Sequence, residues 1–197
     1  MANSLTRICV YAGSNLGRRP VYAEAAASLG RELAHAGMDL VYGGGGVGLM
    51  GALADSALAA GVHVTGVIPS GLERRELAHQ RLDTLMVVQS MHERKARMAE
   101  LADGFVTLPG GYGTLEEIVE MLTWAQLGIH QKPCGLLNVA GYFDGLIQAL
   151  DHFVDEGLLR ETHRSLLIVE REPRELLKSM GDYRSPVQEA WLDERET

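Results

Sequence analysis

Apolar residues along the chain fall into short runs that alternate with helical patterns. "RICVYA" over 7–12 predicts a strand, and "PVYAEAAASLGRELAHA" over 20–36 predicts a helix. "MDLVYG" (38–43) predicts the next strand, "GLMGALADSALAA" (48–60) a helix and "VHVTGVIP" (62–69) a third strand. After an irregular stretch the alternation resumes: strand 84–89, helix 91–102, strand 104–109, helix 115–127, strand 134–139 and helix 142–156. A last apolar run at 165–170 and a short helix at 173–180 close it. The strand runs are apolar without alternation, as in a parallel sheet covered on both faces. The pattern therefore predicts one α/β domain over 1–181, a Rossmann-like doubly wound parallel sheet with helices on both faces. A polar tail over 182–197 follows it.

In such sheets ligands bind beyond the carboxyl ends of the strands. Three loops at that edge are rich in glycine: "AGSN" (12–15), "YGGGGVGLMG" (42–51) and "PGGYGT" (109–114). Glycine allows a sharp turn and a close approach of ligand to backbone. The helix that follows offers unpaired N–H groups and a partial positive charge. Together these make an anion pocket, for which phosphate is the usual guest. One such loop would need no explanation beyond a tight strand-to-helix turn. Three at one edge point to a nucleotide or sugar phosphate, with Ser14, Gly44, Gly45, Gly110, Gly111, Tyr112, Gly113 and Thr114 as candidate contacts. A G-x-G-x-x-G pattern can be read in the second loop. The acidic residue that a NAD site expects about 20 residues later is missing, because "VTGVIPSG" runs to Gly71 before Glu73.

The segment "SMHERKARMAELAD" (90–103) carries charge on an unexpected face. Ser90 and Glu93 fit a capping box that starts a helix at Met91. Met91, Met98, Leu101 and Ala102 form its apolar stripe. Arg94 falls between Met98 and Leu101 on that wheel and Lys95 beside Ala102, whereas Glu93, Arg97 and Glu100 lie opposite. Long basic side chains can snorkel to water, but a helix start at the predicted cleft favours a site role, more firmly for Arg94 than for Lys95. In "PGGYGTLEE" (109–117), Thr114 suits an N-cap and Glu117 would complete a second capping box. Glu116 faces another side, with Glu120 and Thr123. A carboxylate at such a helix start is expected to stay ionised. Beside a phosphate it can oppose a developing positive charge or hold a water.

Composition narrows the field. A formal net charge of −8 argues against broad nucleic-acid binding. No apolar run approaches the roughly 20 residues of a membrane span. The first residues lack a signal-peptide core and cleavage site, so a cytoplasmic protein without membrane attachment is expected. Cys9 and Cys134 lie in strand runs with no C-x-x-C pair and read as buried thiols. The seven histidines are scattered without ligand spacing, so no metal site is expected.

"PGGYGTLEE" fits the pattern PGGxGTxxE, with Glu117 as its last residue. Together with "SMHERKARMAELAD", "LVYGGGGVGLMG" and "TWAQLGIHQKPCGLLN", it closely resembles the LONELY GUY (LOG) family of cytokinin-activating phosphoribohydrolases, long labelled "possible lysine decarboxylases". The likeness runs from the first strand to the helix at 142–156. It implies cleavage of the N-glycosidic bond of a nucleoside 5'-monophosphate, a cytokinin riboside 5'-monophosphate or AMP, to free base and ribose 5-phosphate. It also implies a homodimer that uses no metal or organic cofactor. The family's Arg and motif Glu fall on Arg94 and Glu117 as the catalytic pair. Its substrate-contacting Glu falls on Glu76 in "RRELAH", and its Lys on Lys95. Met91, Glu116 and Thr123 complete the expected substrate-binding set. The chemistry agrees, since glycosidic cleavage passes through an oxocarbenium-like state that a fixed carboxylate opposes. Two rival readings stand beside this one. A pyridoxal-phosphate decarboxylase would need a Schiff-base lysine, for which Lys95 is the candidate. A non-catalytic nucleotide or cofactor carrier would keep the glycine loops without needing Arg94 and Glu117 together.

Overall fold

The structure, a computed structural model, describes residues 5–73 and 78–187. The first half of the chain forms β1 (Arg7–Tyr11), α1 (Val21–Ala36), β2 (Asp39–Tyr42), α2 (Gly48–Ala59), β3 (Val64–Pro69) and a single turn, α3 (Ser70–Glu73). It continues with β4 (Thr84–Val88), α4 (Met91–Leu101), β5 (Gly104–Thr107) and α5 (Tyr112–Gln126). After these come β6 (Cys134–Leu137), α6 (Asp144–Asp155), a short α7 (Glu161–Arg164), β7 (Leu167–Glu170) and α8 (Pro173–Asp182). Each strand and long helix expected from the apolar pattern is present. The turns α3 and α7 are too short to leave a periodic signal.

The described strands form one sheet in the order β4-β3-β2-β1-β5-β6-β7, and every pairing is parallel. The chain steps outward from β1 to β4, then returns through α4 to lay β5 on the other side of β1. The order thus reverses between β1 and β5, which is where a doubly wound sheet opens a crevice. Register brings the strand ends level there, with Tyr11 beside Thr107 and Val10 beside Tyr42.

The continuous apolar strands follow from having two covered faces. Successive strand residues point to opposite sides. Ile8 and Val10 join Leu40, Tyr42 and Val106 in a core under α1, α2 and α8, where Leu29, Leu33, Leu53, Leu176 and Met180 pack. Cys9 and Tyr11 point the other way, joining Val41, Phe105, Leu136 and the α4–α5 residues Met98, Ile118 and Met121. Both cysteines are buried and unpaired. Among the described residues no helix is long and apolar enough to cross a membrane. Helix α8 runs to Asp182, and Tyr183 just after it is buried. Of the expected tail, residues 188–197 lie outside the described residues.

The largest departure from the pattern-based elements is the start of α5. The helix begins at Tyr112, not at Leu115, with Gly111 in extended geometry as its N-cap and no side-chain cap. Thr114 is therefore not the cap. It lies in the first turn, buried, and its side chain fills the space over Gly110: a Cβ at Gly110 would sit 2.1 Å from the Thr114 hydroxyl oxygen. Glu117 falls a turn too deep for a capping box.

Candidate active site

Beyond the carboxyl ends of β1 and β5 lies a cavity of about 470 Å³. One wall is the loop after β1, from Ala12 to Gly17; the other is Pro109–Gly111 with the first turn of α5. The Gly13 N–H donates to the Pro109 carbonyl at 3.0 Å, which ties the two loops together, and the Gly13 carbonyl accepts from the Leu49 N–H at 3.0 Å, which ties the first of them to α2. Close approach is what glycine provides here. Gly48, at the start of α2, has φ +63, and a Cβ on it would stand 2.2 Å from the Ser14 carbonyl carbon. Helix geometry leaves the first amides of α5, at Tyr112, Gly113 and Thr114, without acceptors inside the helix. Those N–H groups give the helix start a partial positive charge, and no lysine lines the cavity.

Arg94 enters this cavity from α4. Ser90 caps that helix, accepting from the Glu93 N–H at 3.1 Å, while the Glu93 carboxylate accepts from the Gln89 N–H at 2.7 Å. The expected capping box is thus present, with its return bond one residue earlier. The cap fixes the helix phase so that Arg94 and Lys95 both turn inward and are buried. The Arg94 side chain passes over the strand ends, where its Nε donates to the Val67 carbonyl at 3.2 Å. Its Nη1 then lies 3.1 Å from Oε1 of Glu117. Gly43 makes room for this path, since a Cβ there would fall 2.0 Å from Arg94 Nη2. Glu117 is itself buried. Burial pushes its pKa up from the usual carboxylate value, against the opposing pull of the Arg94 guanidinium, and the neighbouring Glu116 adds to the rise. The expectation of a carboxylate kept ionised by a helix terminus is therefore corrected. Glu117 is not at the terminus, and its ionisation is governed by burial set chiefly against the Arg94 charge, with a smaller pull from Lys95.

The cavity brings together Arg94, Glu117, Ser14, Gly110, Gly111, Tyr112, Gly113 and Thr114, all singled out from the sequence. A family profile described as "Possible lysine decarboxylase" matches residues 50–180. Over 177 residues the chain is 49% identical to the cytokinin riboside 5'-monophosphate phosphoribohydrolase LOG7 of Arabidopsis thaliana, covering 90% of this chain and 82% of the relative. It is 50% identical over 177 residues to the enzyme of that activity named LOG in Oryza sativa subsp. japonica, covering 90% and 73%. The chain belongs to the LOG family. A solved structure of the molybdenum cofactor carrier protein from Chlamydomonas reinhardtii shares the fold, with a TM-score of 0.67 at 20% identity over 90% of this chain and 96% of that one.

Among the described residues, the other expected contacts of this LOG protein lie outside the cavity lining. Lys95 is buried behind the wall, where its ammonium is paired with Glu116 and lies 3.0 Å from Oε1 of Glu120. Burial pulls its pKa down, but the hydrogen bonds to Glu116 and Glu120 outweigh that, and the net shift is upward. Glu116 and Glu120 thus share one face of α5, as the wheel requires. Thr123, on the exposed side, donates to the Val119 carbonyl at 2.8 Å. Met91 is exposed and does not pack in the stripe assigned to it, although its sulfur lies 4.0 Å from Arg94 Nη1. Gly44 and Gly45 are buried in contacts with the returning chain: the Gly44 carbonyl accepts from His79 N–H at 2.9 Å, and Gly45 bridges Ala78. Glu76 lies outside the described residues.

Sequence reasoning on this LOG chain passed over Tyr22 on α1, Met50 on α2 and Tyr142 after β6, all of which line the cavity. Tyr142 had a signal. It follows a strand that ends at the same sheet edge, in "VAGYFDG", where a glycine again precedes a helix.

Proposed function

We propose that the protein is a hydrolase that cleaves the N-glycosidic bond of a cytokinin riboside 5'-monophosphate or AMP, releasing free base and ribose 5-phosphate. The observation that carries this reading is the buried Arg94–Glu117 pair facing a cavity walled by glycine amides. The 5'-phosphate is assigned to the amides at the start of α5, where an anion is favoured. Glu117 sits one and a half turns further along the same helix, which sets it toward the sugar. As the C1'–N bond breaks, its electron pair leaves with the base and positive charge grows on the ribose. A carboxylate fixed beside the ribose opposes that charge. Water then adds to C1', and its proton balances the one taken up by the departing base. Arg94 holds the Glu117 carboxylate in place and favours its ionised form. Relatives at about half identity are named for this activity.

A decarboxylase reading receives no support from the site. None of the residues lining the cavity is a lysine. Lys95, held between two carboxylates with its pKa raised, is kept charged, not as the neutral amine that Schiff-base chemistry needs. Incubation with a panel of nucleoside monophosphates, followed by chromatography of the products, tests the proposal. Free base together with ribose 5-phosphate is expected, and unchanged nucleotides would refute it.

The same reading has the protein act in the cytoplasm as a homodimer. Support for the dimer is the pair of exposed apolar side chains Met91 on α4 and Val119 on α5, two neighbouring helices that cover the same face of the sheet. Such residues in proximity commonly mark an interface. Light scattering that returned the mass of one 21.4 kDa chain at micromolar concentration would overturn it.

A further inference from the structure

Tyr142 stands at the cavity on a segment built to deliver it. Between β6 and α6 the chain makes a short 3-10 turn, Val139–Gly141, in which Ala140 takes φ 50, ψ 34. Among the described residues it is the one non-glycine with positive φ. Backbone held in that region costs about 1–3 kcal/mol and persists where the surroundings impose it. The surroundings here are explicit. The Asn138 amide donates to Asp144 Oδ1 at 2.7 Å, and its carbonyl oxygen accepts from the Phe143 N–H at 2.9 Å. The ring of Tyr142 meets Phe143 edge-on at 4.9 Å and Tyr22 at 5.4 Å. So placed, the Tyr142 hydroxyl donates to the Gly110 carbonyl at 2.8 Å.

That bond acts on a peptide inside the glycine loop. In a trans peptide the carbonyl of one residue and the N–H of the next point in opposite directions. With the Gly110 carbonyl held toward Tyr142, the Gly111 N–H points away from Tyr142, and a Cβ on Gly111 would meet no heavy atom within 4 Å. Glycines on both sides of this bond make a peptide flip easy. A flip would turn a carbonyl oxygen, with its partial negative charge, to where the N–H now points. The preceding peptide is fixed already, because Gly13 N–H holds the Pro109 carbonyl, and the following carbonyl, at Gly111, accepts from Leu115 N–H at 3.1 Å. Among these three carbonyls, the Gly110 one is held by a side chain from a different part of the sheet edge.

We propose that Tyr142 is a positioning residue for phosphate recognition: its hydroxyl locks the Gly110–Gly111 peptide so that the Gly111 N–H, not a carbonyl, is presented to the anion. The inference rests on the hydrolase reading for its kinetic arm only, since anion binding can be measured without turnover. Tyr142→Phe keeps the ring contacts and removes the hydroxyl. One neutral hydrogen bond corresponds to a loss of about three- to tenfold. The dissociation constant for inorganic phosphate, by calorimetric titration, is expected to rise by that factor and kcat/KM for AMP to fall by at least as much, with the melting temperature unchanged. A merely structural role would instead lower melting temperature and kcat and leave the phosphate constant alone. In the wild type, phosphate titration is expected to shift the Gly111 amide resonance, and Tyr142→Phe to weaken that response. Weakened phosphate binding in a chain that hydrolyses no nucleotide would remove the hydrolase reading and keep the positioning role. An unchanged phosphate constant in Tyr142→Phe, or no phosphate binding by the wild type, would overturn the positioning role.

Discussion

The Arg94 guanidinium lies 3.1 Å from the Glu117 carboxylate, with the two side chains only 10% and 8% exposed. Taking two opposite charges out of water gains little stability, because desolvation offsets their attraction. A pair like this, set at a cavity instead of within a core, is better explained by chemistry than by folding. The two residues come from helices on either side of the crevice, and the capping of α4 by Ser90 sets the phase that lets them meet.

Glu117→Gln separates charge from shape. The amide keeps an oxygen for Arg94 to donate to, so the folded state should lose only ~1–3 kcal/mol. Turnover should fall by about 10²–10³, as when a preorganised electrostatic stabiliser is removed. Steady-state kinetics alongside thermal unfolding checks both numbers. Full turnover in a folded Glu117→Gln protein would mean that the carboxylate charge is not used.

The raised pKa of Glu117 has a sign in two measurements. Ionised Glu117 is the active form, so kcat/KM should fall as pH drops through a value above 4.5, the ordinary glutamate value. Stability moves the other way. A carboxyl that holds its proton more tightly when folded contributes most below its unfolded pKa, and that contribution is lost as pH rises through the folded pKa. Glu116→Gln removes a like charge near Glu117, while Lys95 keeps its charge and its Glu120 partner, so the Glu117 pKa is lowered. The acid limb of kcat/KM should therefore move to lower pH in that variant. Titration of the substrate phosphate is common to both proteins and cancels in the comparison. A limb that stayed in place or moved up would show that another group sets it.

Gly43→Ala should act on the site without touching substrate. The added Cβ would meet Arg94 Nη2 at 2.0 Å, the far end of a flexible side chain, so folding can adjust by moving the guanidinium. A displacement near 1 Å of a catalytic group costs on the order of 10²-fold in rate. The expected result is a folded protein whose kcat/KM is reduced by at least about tenfold, with most of the loss in kcat. Wild-type kinetics would mean that the Arg94 position is not critical.

How far the sequence could be read depended on which force set each feature. Two-sided burial makes the inner strands β1, β2, β3, β5 and β6 almost continuously apolar, so the parallel sheet and its Rossmann-like class were legible. Arg94 and Lys95 were legible as inward charges, because the Ser90–Glu93 cap fixes the phase of α4. The start of α5 was not. Gly111, Tyr112 and Gly113 are poor helix formers that read as loop, and Thr114 with Glu117 imitates a capping box. Tertiary packing overrides both signals: Thr114 seats on Gly110, and Glu117 turns inward to Arg94. The four glycines at 43–46 carry a second explanation. Their composition suits a phosphate loop, but Gly43 yields space to Arg94 while Gly44 and Gly45 pair with the chain at Ala78 and His79. Close backbone approach and ligand approach leave the same mark in a sequence.

The glycines after β5 allow that ambiguity to be resolved one residue at a time. A Cβ at Gly110 would collide with Thr114 at 2.1 Å, so Gly110→Ala should disturb the α5 start and the fold with it. Gly111 and Gly113 are different: neither would place a Cβ within 4 Å of another heavy atom, and neither has positive φ. Alanine at either position should leave the circular dichroism spectrum and melting temperature intact. Any effect then reports on what approaches from outside. A phosphate seated on the first amides of α5 would meet the new methyl group, so AMP should lose kcat/KM by about tenfold or more, whereas the slow cleavage of adenosine should be unchanged. In the wild-type protein AMP should be cleaved far faster than adenosine, because binding energy at a remote phosphate can be used to orient the reacting sugar and shows in kcat as well as KM. Equal kcat/KM for AMP and adenosine, or equal losses on both in Gly111→Ala, would mean that these glycines serve the turn and not the anion.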